Sequence, residues 1–317
     1  MSQRAYRRDL PIRLKVPADA GRPHRFVVVY DRRLARMPEV RDWLERFPLR
    51  YPVSAGEGLK SADRFPRHAR RLLAMVPDAT RANTTLVGLG GGSVGDFTGF
   101  AASVLKRGVG LIHLPTTWLA AIDSAHGGKT ALNVDGVKNQ LGSFYPADAV
   151  VTARSILETL SPTDTLSGLG ELIKISVIAG GRLFDGLSTN LPVSPARMWR
   201  LLPLAVDAKL RVVDSDPMER SGARRVLNLG HSLGHVLEAH AGLAHGIAVA
   251  LGLRFAIEWS VERGRLGRDE ADRILELLDG EARFRMSSVR GRRLSASLQN
   301  LFGALTNFQG SQSNSGR

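Results

Sequence analysis

The segment LVGLGGGSVGDFTGFAASVLKRG, residues 86–108, decides the fold because it joins a strand-like run to a helix-like run through three consecutive glycines. Gly90, Gly92 and Gly95 satisfy the pattern Gly-x-Gly-x-x-Gly, which lets a backbone approach a pyrophosphate at a helix N-terminus. No acidic residue follows about twenty positions later, as an ordinary dinucleotide fingerprint requires. A plain glycine-rich turn therefore remains an open alternative.

The alternation of strands and helices extends to both sides of this turn, from about residue 26. The strand-like runs are FVVVYD, TTLVGLG, VGLIHLP and AVVTA, and the amphipathic SADRFPRHARRLLAMV lies among them. This rhythm predicts βαβ units and a parallel sheet. After about Leu160 helical periodicity takes over, in RMWRLLPLAVDAKLRVVD, HSLGHVLEAHAG and IAVALGLRFAIEWSVERGRL.

We therefore predict an α/β fold in two domains: an N-terminal Rossmann-like parallel-sheet domain followed by an all-α C-terminal domain. The expected boundaries are residues 1–157 for the nucleotide-binding domain, 158–306 for the helical domain and 307–317 for a polar, disordered tail.

Composition narrows the class of protein. No apolar run reaches the roughly 20 residues of a membrane span, and the basic N-terminal stretch leads into no signal-peptide core. We expect a soluble, cytoplasmic protein without a membrane partner. The chain has 0 cysteines, so any metal site must rest on His, Asp or Glu.

The net charge of +14 is compatible with nucleic acid, a membrane surface or a phosphorylated substrate as partner. The basic residues are scattered and not interleaved with aromatic ones, which is typical of an ordinary basic surface and argues against nucleic acid. Of 44 basic residues, only 7 are lysines. Lysine is a compact cation with a movable pKa, whereas arginine is a rigid planar fork. The few lysines are therefore expected where a guanidinium would not serve.

A histidine-rich segment, RRVLNLGHSLGHVLEAHAGLAHG at residues 224–246, holds four of the eight histidines. His231 and His235 share one helical face with Glu238, and His245 follows a break. Imidazoles with one carboxylate are a standard set of zinc ligands. The apolar flanks favour a metal site, although a solvated helix face is the open alternative.

Two further segments carry polar side chains suited to a ligand. SGLGELIKISVIAG offers Glu171 as the carboxylate, with Lys174 one turn on. The glycine-punctuated residues 115–146 suit a cleft wall for a polyhydroxylated or phosphorylated ligand, with a long surface loop as the alternative. Asp31, at the end of a predicted strand, is a candidate ribose ligand or a simple turn residue.

These pieces in this order resemble the 3-dehydroquinate synthase family of sugar phosphate cyclases over about residues 26–252. The resemblance rests on AGEGLKS, GGGSVGDFTGF, KRG, PTT, an Asp-Ser dipeptide with GGKT and KN, SGLGELIK, and RxxxNxGHxxGH followed by HG. It implies an NAD-binding α/β domain, a helical domain, an active site in the cleft between them, and a homodimer. The implied lyase reaction converts 3-deoxy-D-arabino-heptulosonate 7-phosphate to 3-dehydroquinate and phosphate, in the shikimate pathway of aromatic amino acid biosynthesis.

The resemblance also assigns residues. The ligands of Zn2+ (or Co2+) would be Glu171, His231 and His245, with His235 a polar active-site group. NAD would contact Asp31, Glu57, Lys60, Gly92, Ser93, Val94, Gly95, Asp96, Thr116, Thr117, Lys129, Lys138 and Thr159. The substrate would meet Arg107, Asp123, Asn139, Lys174, Lys209, Arg224 and Asn228. Lys209 matches only if one residue is inserted before Glu219. Five of the 7 lysines then fall on family positions.

The implied chemistry is a transient oxidation by NAD, elimination of phosphate, return of the hydride and intramolecular aldol closure. The metal would polarise the reacting oxygen as a Lewis acid. The substrate phosphate would take the proton, since no strong protein base stands out in the sequence.

Three departures from the family pattern bear on activity. His126 stands where the family has an aliphatic residue, and we expect a hydrogen-bonded loop histidine rather than an extra proton donor. Ile247 replaces a glutamate. A C-terminal Asp-Lys-Lys segment is not found, which predicts reduced activity. The alternative functions are an inosose or valiolone cyclase, an NAD- and metal-dependent polyol dehydrogenase, and an inactive relative.

Overall fold

A computed structural model describes residues 2–11, 14 and 24–280 of the chain. The expected tail, the end of the expected helical domain and the altered C-terminal segment lie outside the described residues. Within the described part, no helix is both long enough and apolar enough to cross a membrane.

A parallel six-stranded sheet forms the first half, with the strand order β1-β8-β5-β4-β2-β3. Its strands are β1 (Gln3–Arg7), β2 (Arg25–Asp31), β3 (Leu49–Val53), β4 (Thr84–Gly90), β5 (Gly110–Pro115) and β8 (Ala149–Ala153). Every residue of β4 is buried, as expected for a central strand covered on both faces. The predicted parallel sheet is confirmed. Apolar periodicity does not predict β1, because its residues are exposed or half-buried.

Four helices belong to this half: α1 (Pro38–Leu44), α2 (Phe65–Met75), α3 (Gly92–Val104) and α4 (Arg154–Leu157). The glycine-rich turn joins β4 to α3, as the sequence pattern predicts. The carboxyl ends of β2, β4 and β5 meet at one edge of the sheet, because these strands are parallel neighbours. The start of α3 therefore faces a crevice at that edge.

Residues 115–146 are not the long surface loop left open as an alternative. They form a π-helical turn at Ala120–Ser124 and an antiparallel hairpin of β6 (Lys129–Val134) and β7 (Val137–Phe144). The hairpin turn uses Asp135 and Gly136, whose φ angles are 49° and 78°. Asp-Gly is a favoured pair for such a turn, so the sequence did contain a signal for this hairpin.

The second half is helical, as predicted, with no strand between residues 158 and 280. Its helices are α5 (Pro162–Ala179), α6 (Gly181–Ser188), α7 (Pro195–Ser215), α8 (His231–Ala241), α9 (His245–Glu262) and α10 (Arg268–Asp279). Trp118, two residues before the π-helical turn, and Ile122 within it pack into the core of this half. A boundary after residue 157 therefore remains a prediction, since the helical core includes earlier residues.

Helices α5 and α9 pack backbone to backbone at Gly170 and Gly246. A Cβ on Gly246 would lie 1.7 Å from the carbonyl oxygen of Ser167, and one on Gly170 would lie 1.9 Å from the oxygen of Gly246. Only glycine permits this approach. The contact sets the distance between the Glu171 and His245 segments.

Gly246→Ala is expected to destabilise the protein by about 3 kcal/mol or more, because two helix backbones must separate. Urea unfolding checks this value. Gly267→Ala is the matched control, because no atom lies within 4 Å of its added Cβ; since Gly267 caps α10, its cost should be about 1 kcal/mol or less. Equal midpoints for the two variants would contradict the prediction.

Candidate active site

Three side chains from three helices converge on one point. Glu171 of α5, His231 of α8 and His245 of α9 each offer a ligand atom, and these atoms lie within 4.8 Å of one another. Glu171 Oε1 is 3.5 Å from His245 Nε2 and 3.8 Å from His231 Nε2. These separations are long for hydrogen bonds but near the roughly 3.3 Å expected between two ligands of one tetrahedral ion.

The tautomers of both imidazoles suit metal binding. His245 Nδ1 donates to Glu238 Oε2 at 2.9 Å, and His231 Nδ1 donates to the carbonyl of Leu229 at 3.3 Å. In the neutral form of each ring, Nε2 therefore carries the lone pair that a cation would take. Glu171 is fully buried; its Oε2 lies 2.5 Å from Lys174 Nζ, whereas its Oε1 makes no regular hydrogen bond within the described residues and faces both imidazoles. A buried carboxylate oxygen without a regular hydrogen bond is costly, so this donor set fits a divalent ion.

Charges around the three groups shift their pKa values. Burial alone would raise the pKa of Glu171, but Lys174 and His245 outweigh it and hold that pKa low. Burial would lower the pKa of His245, but the Glu171 and Glu238 carboxylates raise it to about 9. Burial and the Lys174 charge lower the pKa of His231.

His235 lies beside this group but outside it. Its ring centroid is 5.2 Å from that of His231 and 6.2 Å from that of His245. It is exposed and does not belong to the cavity lining, so its role as a polar active-site group stays a prediction.

A polar cavity of about 230 Å³ opens next to the metal-ligand group. It is lined by Asp96, Asp123, Ser124, His126, Lys129, Asn139, Lys174, Lys209, Glu219, Arg224, Leu227, Asn228 and His231. Six of the seven residues expected around the substrate are thus brought together, although they lie far apart in the sequence. The lining carries three lysines and one arginine together with the carboxylates of Asp96, Asp123 and Glu219, so the cations outnumber the carboxylates and can bind an anionic group.

Lys209 and Asp123 form a buried link across this cavity. Lys209 of α7 donates to Asp123 Oδ1 at 2.6 Å and also to the Asp123 carbonyl. Burial lowers the pKa of Lys209 despite the attraction of Asp123. For Asp123, burial opposes ionisation, but Lys209 and Lys174 outweigh it and keep its pKa far below the ordinary value. Lys209 therefore reaches the site, which the uncertain alignment alone could not establish.

Lys60 ties the glycine-rich turn to the hairpin. Its ammonium donates to Asp96 Oδ2 at 2.7 Å and to Asn139 Oδ1 at 2.6 Å, and it lies 4.0 Å from Glu57. Burial raises the pKa of Asp96, although Lys60 opposes the shift. Asp96 is the fifth residue of α3, just after its first turn, so this cluster connects a residue expected to bind NAD with Asn139, expected at the substrate.

The start of α3 can accept an anion. Gly91 caps this helix without a side chain, so the first N–H groups have no side-chain acceptor. Ser93 Oγ accepts from the Gly56 N–H at 2.9 Å. Thr116 and Thr117 follow β5 directly, and Thr116 N–H donates to the Gly90 carbonyl at 3.0 Å. These groups line the carboxyl edge of the sheet, where a dinucleotide would lie.

Four other residues expected to contact NAD or the substrate are not among those that line this cavity. Asp31, the last residue of β2, forms an ion pair with Arg33, and its Oδ2 lies 2.7 Å from Arg33 Nη2. Lys138 pairs with Glu238 at 2.8 Å. Thr159 donates to the Ile156 carbonyl at 2.7 Å. Arg107 is exposed in the short 3₁₀ turn that follows α3, and the structure does not bring it into this cavity.

The sequence did not predict two properties of the cavity, namely the ion pairs of Glu219 and the lowered pKa of His126. Glu219 pairs with Lys129 and lies 3.8 Å from Arg224, so it supplies a carboxylate beside the cations. His126 was expected as a hydrogen-bonded loop histidine, and its Nε2 does donate to the Ala121 carbonyl at 3.0 Å. Burial lowers the pKa of His126 to about 3. It is therefore neutral at physiological pH and is not an imidazolium proton donor.

Comparison with known proteins gives the family. Models of the 3-dehydroquinate synthase N-terminal and C-terminal regions match residues 50–167 and 168–298. A 3-dehydroquinate synthase of Teredinibacter turnerae is 45% identical over 202 residues, which cover 62% of this chain and 56% of that protein. The match thus spans a little over half the length of this curated relative.

Solved structures show the same fold. A 2-deoxy-scyllo-inosose synthase crystallised with carbaglucose-6-phosphate, NAD+ and Co2+ has a TM-score of 0.79 at 24% identity, covering 91% of this chain and 80% of that one. A 2-epi-5-epi-valiolone synthase from Streptomyces hygroscopicus, with NAD+ and Zn2+, has a TM-score of 0.73 at 23% identity, covering 88% and 80%. A sulfoacetaldehyde reductase from Bifidobacterium kashiwanohense, with NAD+, has a TM-score of 0.62 at 14% identity, covering 94% and 89%. The two matching models together span most of the chain, and it belongs to the 3-dehydroquinate synthase family.

Proposed function

We propose that this chain is a 3-dehydroquinate synthase, a lyase of the shikimate pathway that converts 3-deoxy-D-arabino-heptulosonate 7-phosphate to 3-dehydroquinate and phosphate. The observation that carries the proposal is the Glu171, His231 and His245 group opening onto a cavity lined with cations. The inosose and valiolone cyclases have the same fold, but their sequences are only 24% and 23% identical to this chain. The 3-dehydroquinate synthase is 45% identical over the matched residues.

Glu171, His231 and His245 would hold Zn2+ or Co2+, as the metals in the two cyclase structures suggest. The ion would supply a Lewis acid at the reacting hydroxyl. The start of α3, with Asp96, Thr116 and Thr117 nearby, would bind NAD, the transient acceptor of the hydride. The remaining residues of the NAD and substrate sets stay proposals on the same basis.

The residues of the cavity hold and orient the substrate. Lys129, Lys174, Lys209 and Arg224 present cations to phosphate and carboxylate, and Asn139 and Asn228 present amides to hydroxyl groups. Asp123 is kept ionised by Lys209, so it accepts hydrogen bonds from substrate hydroxyls. Positioning of this kind can lower the barrier by about 7 to 11 kcal/mol.

One assay tests the proposal. Purified protein is supplied with NAD, zinc and the heptulosonate phosphate, and both phosphate release and the carbocyclic product are measured. Phosphate release without net NADH supports the cyclase. Net NADH from a polyol would indicate a dehydrogenase. Turnover of a different sugar phosphate in a substrate panel would indicate another cyclase, and zinc and NAD binding without turnover would indicate an inactive relative.

Zinc affinity is expected to rise with pH between about 7 and 9. The pKa of His245 is raised to about 9 in the metal-free site, so His245 is protonated below that pH and must lose a proton to bind zinc. The dissociation constant should fall about tenfold per pH unit in this window and level off above it. Calorimetry in buffers of different ionisation enthalpy should show about one proton released at pH 7.5; a pH-independent affinity would contradict this.

A homodimer is part of the same proposal. Three large apolar side chains of β7 are exposed, namely Val137, Leu141 and Phe144. A second copy of the chain could cover them. Sedimentation velocity would measure the assembly state, and Val137→Lys should weaken it if this strand is the interface.

A further inference from the structure

We propose that Glu238 is a positioning residue that orients His245 for metal binding and links it to Lys138 on the β6–β7 hairpin. The inference rests on the proposed function, because it takes the Glu171, His231 and His245 group as the metal site. It concerns a residue that neither the metal-ligand group nor the cavity lining includes.

The carboxylate of Glu238 makes two contacts at once. Its Oε2 accepts from His245 Nδ1 at 2.9 Å, and its Oε1 accepts from Lys138 Nζ at 2.8 Å. In the neutral ring Nδ1 keeps its proton for Glu238, so the lone pair lies on Nε2, the atom that is 3.5 Å from Glu171 Oε1. A carboxylate bound to the second nitrogen of a ligating imidazole fixes its tautomer and ring plane, and makes it a better donor.

The two ligating imidazoles are held differently. His231 donates only to the carbonyl of Leu229, at 3.3 Å, which is longer and uncharged. His245 is therefore the ring whose orientation depends on a side chain. Ile247, which replaces the glutamate of the family pattern, packs against apolar side chains and offers no acceptor. Glu238 is the carboxylate on His245 Nδ1 in this chain.

The second contact crosses between the two halves of the molecule. Lys138 lies on β7, in the half that carries the sheet, and Glu238 lies on α8, 100 residues later. An ammonium has three donors, and the pair with Glu238 uses one of them. Two donors remain for a second anionic group on the hairpin side. A shift of the hairpin would therefore change the position of the Glu238 carboxylate, which also binds His245.

The test compares Glu238→Gln, Glu238→Ala, Lys138→Met and the double variant Glu238→Ala/Lys138→Met in the full chain. Zinc affinity is measured by competition with a chromophoric chelator, and the visible spectrum of the Co2+-loaded protein reports ligand geometry. Glu238→Ala should weaken zinc binding about 10- to 100-fold and change the Co2+ spectrum. Glu238→Gln keeps an acceptor oxygen and should lose less.

Lys138→Met should weaken zinc binding by a smaller factor in the native background and by none when residue 238 is alanine. Glu258→Gln on α9 is the matched control, because Glu258 contacts only Arg254 at 3.6 Å among the ion pairs of the described residues. It should leave both readouts unchanged.

Glu238→Ala and Glu238→Gln proteins that bind zinc like the native protein, with its Co2+ spectrum, would overturn the positioning role. A loss in Lys138→Met that is the same with and without Glu238 would overturn the link to the hairpin. The two proposals can fail separately. If zinc binding depends on Glu238 but the native protein releases no phosphate, the proposed function is wrong and the positioning role of Glu238 is supported.

Discussion

Glu171→Gln is expected to weaken zinc binding about a thousandfold or more and to reduce phosphate release to background. The substitution removes the only anionic ligand of the group while keeping its size. Loss of one charged ligand costs several kcal/mol, and each 1.4 kcal/mol is about a factor of ten. Equilibrium dialysis for zinc and a continuous phosphate assay would measure the two effects.

Glu171→Gln is also expected to lower the free energy of unfolding, which must be separated from its effect on zinc binding. Lys174 Nζ lies 2.5 Å from Glu171 Oε2, and only 2% of the Lys174 side chain is exposed. Without Glu171 this ammonium is buried without its counter-ion, which costs about 3 to 5 kcal/mol. The double variant Glu171→Gln/Lys174→Met removes both charges and should recover much of the stability without restoring zinc. Glu258→Gln serves again as the control. Full zinc occupancy in Glu171→Gln would show that this carboxylate is not a ligand.

The metal-ligand group shows what local pattern can and cannot predict. The spacing of His231 and His235 places both rings on one helical face, and the structure does bring them together. The pattern cannot tell which of them faces Glu171. That choice depends on how α5 packs against α8 and α9, which the close Gly170–Gly246 contact sets. Only the family resemblance, which carries such long-range information, names His245 instead of His235.

The sheet was predictable because its central strands are locally apolar and alternate with amphipathic helices. The hairpin was not identified, although Asp135-Gly136 is a standard turn pair, because the flanking strands are polar and mostly exposed on β7. Exposed strands lack the apolar alternation on which a strand prediction rests.

The scarcity of lysine pointed to candidate functional residues, but it did not predict which residues these lysines contact. Each of the five lysines on family positions faces a carboxylate: Lys60 with Asp96, Lys129 with Glu219, Lys138 with Glu238, Lys174 with Glu171, and Lys209 with Asp123. Four of these five pairs join residues more than 30 positions apart. No residue pattern in one sequence encodes such pairs. They show that the cations are held in place by partners which an anionic substrate must share or displace.

Lys209→Met is expected to lower kcat/KM for the heptulosonate phosphate about a thousandfold while leaving zinc affinity close to native. Lys209 lines the cavity and holds Asp123, so its loss removes a substrate cation and releases the carboxylate that meets the substrate hydroxyls. Neither residue belongs to the metal-ligand group. Steady-state phosphate release and chelator competition would separate the two effects.

The free energy of unfolding of Lys209→Met should fall by about 2 kcal/mol, which is less than for a fully buried pair because 30% of the Asp123 side chain is exposed. Lys209→Met/Asp123→Asn should regain most of that stability and none of the activity, because the neutral amide no longer needs a cation but cannot replace either group at the substrate. If Lys209→Met turned over substrate like the native protein, the one-residue insertion that aligns Lys209 with the family would be wrong. Its place in the cavity would then be structural, serving only to neutralise Asp123.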